Sequence, residues 1–238
     1  MEWEAPGIVM AARPYGEGDA LATVMTQAHG AHRGLVRGGL SRAKASMWLP
    51  GNLVQLRWVA RLSDQLGAFT GELVHPGAAL AMDDALSLAI LASACAVAEG
   101  ALTEREPHPA VFDGLLHLIG HLAQGDGALT DLVRWEVTLL AELGYGLDLS
   151  ACTLTGASAG LAWVSPRTGR AVAEDAAGAW KDRLLRLPAF LTGSAPAAPQ
   201  DWRDGLRLTG TFLARDAFGT QHRPLPPARI RLLDLVPD

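Results

Sequence analysis

The stretch from Ala31 to Gly39 reads AHRGLVRGG, in which basic and apolar residues alternate before the chain runs into two glycines. Alternation with a period of two is typical of a β-strand that has one face in a core and the other in solvent. The glycines allow the tight turn that ends such a strand. The stretch therefore predicts a strand that carries Arg33 and Arg37 to one surface.

Similar short segments surround this strand in the N-terminal part of the chain. Turn signals occur at Pro14–Asp19, Ala28–Gly30 and Pro50–Gly51. Between and around them the sequence predicts five strands, at residues 7–13, 21–26, 31–37, 52–62 and 67–74. Five short strands joined by glycine turns are typical of a small closed barrel, and we expect the five-stranded oligonucleotide-binding (OB) fold.

After Gly77 the hydrophobic period changes from that of strands to that of helices. We expect helices at residues 80–99, 111–122, 130–143, 174–187 and 201–218. Thr130 is the expected N-cap of the third helix, and a hairpin with its turn at Ser165–Gly169 is expected within residues 147–173. The predicted fold class is therefore α+β and multidomain, with an OB barrel domain at residues 1–78 and a mainly α-helical domain at residues 79–238.

Charge is distributed unevenly along the chain. The protein has 25 acidic residues and 20 Lys+Arg, yet no acidic residue occurs between Ala20 and Ser63. That span contains six cations, which we predict as the nucleic-acid-binding residues because clustered cations suit a polyanion. They are Arg33, Arg37, Arg42, Lys44, Arg57 and Arg61.

Three aromatic residues near these cations are candidates for base stacking, namely Trp48, Trp58 and Tyr15. The alternative is that both tryptophans lie in the barrel core, where large aromatic side chains are usually found. On that alternative, the cations belong to an ordinary solvated surface.

Other functional classes lack their characteristic motifs. Ser158 has the spacing Gly-x-Ser-x-Gly, but no strand is predicted before it and no helix after it, so it is not a nucleophile elbow. The sequence contains no Gly-x-x-x-x-Gly-Lys-Ser/Thr motif for phosphate binding. We therefore expect no enzyme activity, no catalytic residue and no cofactor.

Metal, membrane and disulfide features are equally weak. His117 and His121 are four residues apart on a predicted helix, but no Glu follows His117, so helix packing is the preferred interpretation. The apolar run 86–98 is too short to span a bilayer and predicts a buried helix. Two cysteines, Cys95 and Cys152, give no disulfide framework and fit a cytoplasmic protein.

Six segments, taken in order, resemble the RecO family of bacterial recombination mediators. They are Gly7–Asp19, His29–Gly38, Leu49–Leu53, Glu142–Cys152, Val164–Gly169 and Arg223–Arg229. The resemblance implies an N-terminal OB barrel and a helical C-terminal domain that often carries a four-cysteine zinc knuckle. In this chain the four ligand positions read Cys152, Thr155, Ala173 and Ala176. We therefore expect the shape of the knuckle without its metal.

The resemblance also implies a function and a set of partners. RecO proteins bind single- and double-stranded DNA without sequence preference, anneal strands coated with single-strand-binding protein and, with RecR, promote RecA loading at gaps. The implied partners are DNA, RecR, the C-terminal tail of single-strand-binding protein and, indirectly, RecA, with no membrane and no small-molecule substrate. The implied location is the cytoplasm, in association with the nucleoid.

Two other functions remain open at this point. One is a different OB-fold adaptor, such as an RNA-binding factor without annealing activity. The other is a small hydrolase, which would need a convergent cluster of polar side chains.

Overall fold

Five strands close into a barrel in the computed structural model, which describes residues 1–62, 65–122, 127–193 and 196–236. The strands are β1 (Glu2–Tyr15), β2 (Asp19–Thr26), β3 (Gly30–Val36), β4 (Leu53–Val59) and β5 (Ala68–His75). Their order around the barrel is β1-β2-β3-β5-β4, and β4 returns to pair with β1. Only the short β3–β5 pairing is parallel among these neighbours. All five predicted strands are confirmed.

The barrel interior is filled by the alternate side chains that the sequence pattern indicates. Along β4, Val54, Leu56 and Trp58 are buried, whereas the intervening Gln55 and Arg57 are exposed. The same core contains residues from the other strands and from the loop before β4, including Val9, Val24, Val36, Trp48 and Phe69. A closed barrel leaves no sheet edge for unwanted strand pairing.

One glycine of the opening stretch has a packing role inside the barrel. A Cβ atom added to Gly34 would lie 2.5 Å from Cδ2 of Phe69, well inside van der Waals contact. The missing side chain on β3 therefore leaves the space that the Phe69 ring occupies in the core. This explains why a glycine interrupts the middle of a strand, where it normally weakens the sheet.

Helices follow the barrel, as expected. In the N-terminal unit, Met1–Gly125, they are α1 (Gly77–Ala81), α2 (Ala85–Ala101) and α3 (Pro109–His121). The helix expected from residue 80 begins at residue 85, because the Asp84 carboxylate accepts a hydrogen bond from the Ser87 amide and caps the first turn. The apolar run 86–98 lies within this partly buried helix, and no helix among the described residues is long and apolar enough to cross a membrane.

The second unit, Asp126–Asp238, contains α4 (Ala128–Glu142), β6 (Leu161–Val164), β7 (Ala171–Ala173), α5 (Glu174–Ala177), β8 (Leu185–Arg186), α6 (Pro199–Phe212) and α7 (Pro227–Leu232). The order in its small sheet is β7-β6-β8. The mostly helical character predicted for this part of the chain is confirmed. The predicted domain division after residue 78 stays a prediction.

Several predicted boundaries in this unit are wrong. The helix expected at 174–187 ends at Ala177; a 3-10 helix, Gly178–Arg183, and strand β8 follow it. The helix expected to end at residue 218 changes to a π-helix at Leu213–Phe218, and α7 was not predicted. Thr130 is not the N-cap of α4, because the helix begins earlier, after Gly127. The Thr130 hydroxyl, in the first turn, instead accepts a hydrogen bond from the Trp202 indole at 2.9 Å.

A buried ion pair connects three helices of the second unit. The Arg229 guanidinium of α7 donates to both carboxylate oxygens of Glu136 on α4, at 2.5 and 2.9 Å, and both side chains are almost fully buried. The Thr209 hydroxyl on α6 donates to the same carboxylate. Arg229 also donates to the Leu206 carbonyl at 2.8 Å, so the buried charges have several hydrogen-bond partners.

We expect Gly34→Ala to destabilise the protein by about 1–3 kcal/mol, because the new methyl group would overpack the barrel against Phe69. Urea unfolding followed by circular dichroism measures the change. Gly18→Ala is the matched control, since a Cβ at Gly18 meets nothing within 4 Å. Equal stability of the two variants would contradict this account of the core.

We expect Arg229→Met to cost about 3–5 kcal/mol, because it leaves the Glu136 carboxylate buried without its cation. The double variant Arg229→Met/Glu136→Leu should recover much of that loss, since it removes both charges. The exposed Arg231 of the same helix provides the control Arg231→Met. Thermal and urea unfolding of the four proteins give the comparison, and a loss that the double variant does not reduce would argue against the ion pair.

Candidate nucleic-acid interface

All six predicted cations are exposed, but they occupy different parts of the barrel. Arg33 projects from the outer face of β3, and Arg57 from the outer face of β4. Arg61 follows the end of β4. The other three, Arg37, Arg42 and Lys44, lie in the β3–β4 loop, which covers residues 37–52.

The β3–β4 loop is held at both of its ends. At its start the Gly38 amide donates to the Asp19 carboxylate at 2.7 Å, and the Leu40 amide donates to the Gly18 carbonyl. At its end Trp48 is buried in the barrel core, at the close of the 3-10 helix Ala45–Trp48. These attachments present the loop cations on a fixed base next to the β1–β2 turn.

Asn52 completes the attachment at the end of the loop. Its buried side-chain amide donates to the carbonyls of Ser46 and Met47, at 2.8 and 3.1 Å. Its side-chain carbonyl accepts a hydrogen bond from the Ala78 amide of α1. One asparagine thus connects the loop, the start of β4 and the first helix, and no signal in the sequence marked it for this role.

The span Ala20–Ser63 contains no acidic residue, but acidic residues from other segments lie next to it in the folded structure. Strand pairing places Glu4 opposite Arg57, and Glu2 lies two residues away on the same strand. The Arg57 guanidinium contacts the Glu2 carboxylate at 2.8–2.9 Å and Glu4 at 3.7 Å. Arg57 therefore has its charge largely balanced by β1, and it is the weakest of the six candidates.

Another acidic residue, from the segment after α2, lies beside the Arg33 backbone. The Glu104 carboxylate accepts a hydrogen bond from the Arg33 backbone amide at 3.2 Å. Arg105 comes with this segment, and its own amide donates to the Ala31 carbonyl of β3. Arg105 is a cation beside β3 that sequence reasoning missed, because it lies outside the basic span.

Within the parts of the chain that the structure describes, no ion pair joins an acidic side chain to Arg37, Arg42, Lys44 or Arg61. Lys44 instead donates to the Arg37 carbonyl at 3.3 Å, which places these two residues of the loop close together. The greatest density of unbalanced positive charge on the barrel is therefore in the β3–β4 loop.

The aromatic candidates divide as the alternative interpretation indicated. Trp48 and Trp58 are about 2% exposed and belong to the core, so neither offers a stacking face. Tyr15 is 54% exposed on the β1–β2 hairpin, which hydrogen-bonds to the loop. Tyr15 is thus the one of the three that can meet a base.

The barrel also carries an aromatic cluster that was not predicted. The Trp3 ring stacks on His29 with 4.3 Å between ring centroids, and it stacks on Trp58 at 5.8 Å. His32 packs edge-on against Trp3, and burial lowers the pKa of His32 below its usual value. His32 is therefore a packing group on β3, although the next residue, Arg33, is an exposed cation.

The hairpin expected around Cys152 has one metal-binding side chain where four would be needed. Cys152 is buried, and its sulfur accepts a hydrogen bond from the Ala173 amide at 3.2 Å. Hydrogen bonds from Thr155 and Ala173 lower the pKa of this thiol to about 7. Ala173 and Ala176 carry no ligand atom, so the residues present do not fit a tetrahedral zinc site.

Apolar packing surrounds Cys152 instead. The cluster around it contains Trp163, Val172, Ala173 and Ala177, and Leu161 and Leu184 pack against its edge. The predicted turn at Ser165–Gly169 is present, closed by a hydrogen bond from the Gly169 amide to the Ser165 carbonyl. The hairpin is thus held by a small core and by backbone hydrogen bonds.

Comparison with known proteins gives a consistent result over both parts of the chain. Residues 1–76 match the family model described as Recombination protein O N terminal, and residues 82–225 match Recombination protein O C terminal. Proteins named DNA repair protein RecO are 61% identical in Granulibacter bethesdensis, 58% in Gluconacetobacter diazotrophicus and 56% in Acidiphilium cryptum. Each match covers at least 98% of this chain and 95% of the relative. The chain therefore belongs to the RecO family of DNA repair and recombination proteins.

Proposed function

We propose that this protein is a recombination mediator that binds DNA through its barrel and anneals complementary strands. The observation that carries the proposal is the β3–β4 loop, with three exposed cations that no acidic side chain pairs among the residues described. Two DNA strands repel each other through their phosphates, so bringing them together first requires cations that neutralise the phosphate charges. Membership of the RecO family supports the same role.

We infer that the barrel is an OB fold. The support is its closed five-stranded arrangement, β1-β2-β3-β5-β4, in which the first three strands form a meander and β5 lies between β3 and β4. OB folds bind oligonucleotides through one barrel face and its neighbouring loops. The cations on β3 and on the β3–β4 loop fit such a surface.

Binding should be largely independent of base sequence. The loop and strand candidates are Arg and Lys side chains on an exposed surface, and such groups contact phosphates, which are the same in every sequence. Tyr15 adds a flat ring that can stack on any base. We therefore propose binding to both single- and double-stranded DNA, since phosphates are present in each.

The remaining partners follow from the family and are proposals for this chain. We propose that it acts on strands coated with single-strand-binding protein, contacts that protein's C-terminal tail and, with RecR, promotes RecA loading at gaps. We also propose that it has no catalytic activity and acts in the cytoplasm at the nucleoid. Lack of a recognisable nucleophile elbow or phosphate-binding loop in the sequence supports the first of these.

We expect the triple variant Arg37→Ala/Arg42→Ala/Lys44→Ala to bind single-stranded DNA more weakly and with a smaller dependence on salt. Each lost phosphate contact lowers the slope of log K against log salt by about 0.7, so the slope should fall by about 2. Fluorescence anisotropy over a salt series measures this slope. Parallel measurements with RNA test the alternative of an RNA-binding adaptor, which comparable or tighter RNA binding would favour.

The matched control is Arg57→Ala/Glu2→Gln, which removes the ion pair between β4 and β1 without changing the net charge. This variant should bind DNA like the unmodified protein, because the Arg57 charge is already balanced. If the triple variant binds DNA normally and the control variant does not, the DNA-binding surface lies on β4 and not on the loop.

We expect Arg33→Ala/Arg37→Ala to slow the annealing of complementary strands. The reason is that both side chains project from β3 and its exposed end, so the pair removes charge from one continuous part of the barrel surface. Annealing is followed by the quenching of a dye pair on the two strands. Unchanged DNA binding and annealing in this variant would remove these residues from the DNA surface.

We expect the purified protein to contain no stoichiometric zinc, because only Cys152 of the four family ligand positions offers a thiolate. Elemental analysis of protein purified without chelators measures the metal content. Treatment with a chelator should leave the unfolding temperature unchanged, since the hairpin is held by packing. One zinc per chain would overturn the prediction.

A further inference from the structure

The second unit contains a cavity that the proposed barrel site does not use. It has a volume of about 500 Å³ and is formed by three segments: the chain just after Cys152, the β6–β7 turn and the 3-10 helix Gly178–Arg183. It therefore lies beside the hairpin whose metal ligands are missing. Cavities of this size commonly hold small molecules or single groups of a larger partner.

The walls of the cavity are largely apolar, and one of them is an exposed aromatic ring. Leu154, Val172 and Leu184 line it together with the Trp180 indole, which is 61% exposed. A tryptophan exposed to this extent loses the favourable burial that usually keeps it in a core. An exposed tryptophan next to a cavity is typical of a binding surface, where the indole ring is covered when a flat group of the ligand stacks on it.

The charged residues of the cavity are all basic. Among the residues that the structure describes, three arginines line it, Arg167, Arg170 and Arg183, and no acidic residue does. The Arg183 guanidinium lies 5.4 Å from the Trp180 ring centroid, in a cation–π arrangement. Asp148, outside the lining, forms a backbone bridge with Arg170, and its carboxylate also attracts the Arg170 charge. The excess of positive charge in the lining therefore comes mainly from Arg167 and Arg183.

The polar atoms of the lining favour a nucleotide base over an apolar peptide side chain. Besides the arginines, the lining contains the hydroxyl-bearing residues Thr153, Ser165 and Thr168. The Ser165 and Thr168 hydroxyls accept hydrogen bonds from the Thr168 and Arg170 amides, and each hydroxyl still has a proton to donate to an acceptor on the edge of a base. An apolar side chain in the same place would offer no acceptor for these protons.

We propose that this cavity is a second nucleic-acid site, which holds an unpaired base of a single DNA strand. The base stacks on Trp180, and its flanking phosphates contact Arg167, Arg170 and Arg183. This inference rests on the proposed function, and it adds to the barrel loop a second contact, in the second unit, that only single strands make. A base can enter the cavity only when it is unpaired, so duplex DNA gains nothing here.

The test compares Trp180→Ala with the full-length unmodified protein, using oligothymidylate and a duplex of mixed sequence. We expect oligothymidylate to bind about tenfold more weakly and duplex binding to stay unchanged, because stacking requires an unpaired base. Trp180→Phe keeps an aromatic ring and should restore most of the affinity. Circular dichroism spectra and unfolding temperatures of the variants establish that each is folded.

A second pair of variants tests the arginines. Arg183→Ala should weaken binding to oligothymidylate, whereas Arg207→Ala, an exposed arginine of α6 outside the cavity, should not. Photo-crosslinking with an oligonucleotide that carries 4-thiothymidine should label the peptide containing Trp180. Crosslinks confined to the barrel would overturn the proposal.

The outcomes separate this inference from the proposed function. If the unmodified protein binds no DNA, the proposed function fails, and the second site fails with it. If it binds DNA and loses affinity in the loop triple variant but not in Trp180→Ala, only the second site is rejected. If a short aspartate-rich peptide with one phenylalanine binds in a Trp180-dependent manner and oligothymidylate does not, the cavity is a peptide site and the proposal is wrong.

Discussion

The pairing of β4 with β1 is the constraint on which the N-terminal unit depends. It joins Glu2–Ile8 to Leu53–Val59 and closes the barrel around Val54, Leu56 and Trp58. It also determines the electrostatics of the outer surface, because the same register brings Glu2 and Glu4 beside Arg57. The same strand pairing therefore closes the barrel and determines which cations on its surface are left without an acidic partner.

That coupling explains why the positive charge on this barrel is concentrated in one loop. Strand residues must satisfy a register, so their charges meet whatever the neighbouring strand presents. The β3–β4 loop has no such neighbour along its length and is attached mainly at its ends, through Asp19, Trp48 and Asn52. We expect a few cations of this kind to give moderate, salt-dependent affinity for a polyanion, which suits the proposed annealing function because an annealed strand has to be released.

The local features of the fold could be predicted from the sequence because they depend on nearby residues. The period of two along Leu53–Val59 and the glycines after Val36 are each sufficient to mark a strand and its end. Features that depend on distant residues could not be predicted. The hydrogen bond from the Trp202 indole to the Thr130 hydroxyl is one of them, because it joins residues 72 positions apart in the chain.

The same limit applies to the candidate site. The six cations could be found by counting charges, and the exposure of Arg33 and Arg57 agrees with the strand pattern. The ion pairs of Arg57 and the approach of Glu104 to β3 could not be found, because they depend on which segments become neighbours when the barrel closes. Arg105 was missed for the same reason.

The hairpin around Cys152 is held by apolar packing and backbone hydrogen bonds, without a set of four metal ligands. The Cys152 sulfur still accepts a backbone hydrogen bond, at Ala173, and a small apolar core lies where the other ligands would converge. Alanines at positions 173 and 176 occupy less volume than thiolates bound to a metal, and a cavity lies next to this core. Trp180 and Arg183 line this cavity from the 3-10 helix that follows α5, so both side chains are available to make the proposed contacts with another molecule.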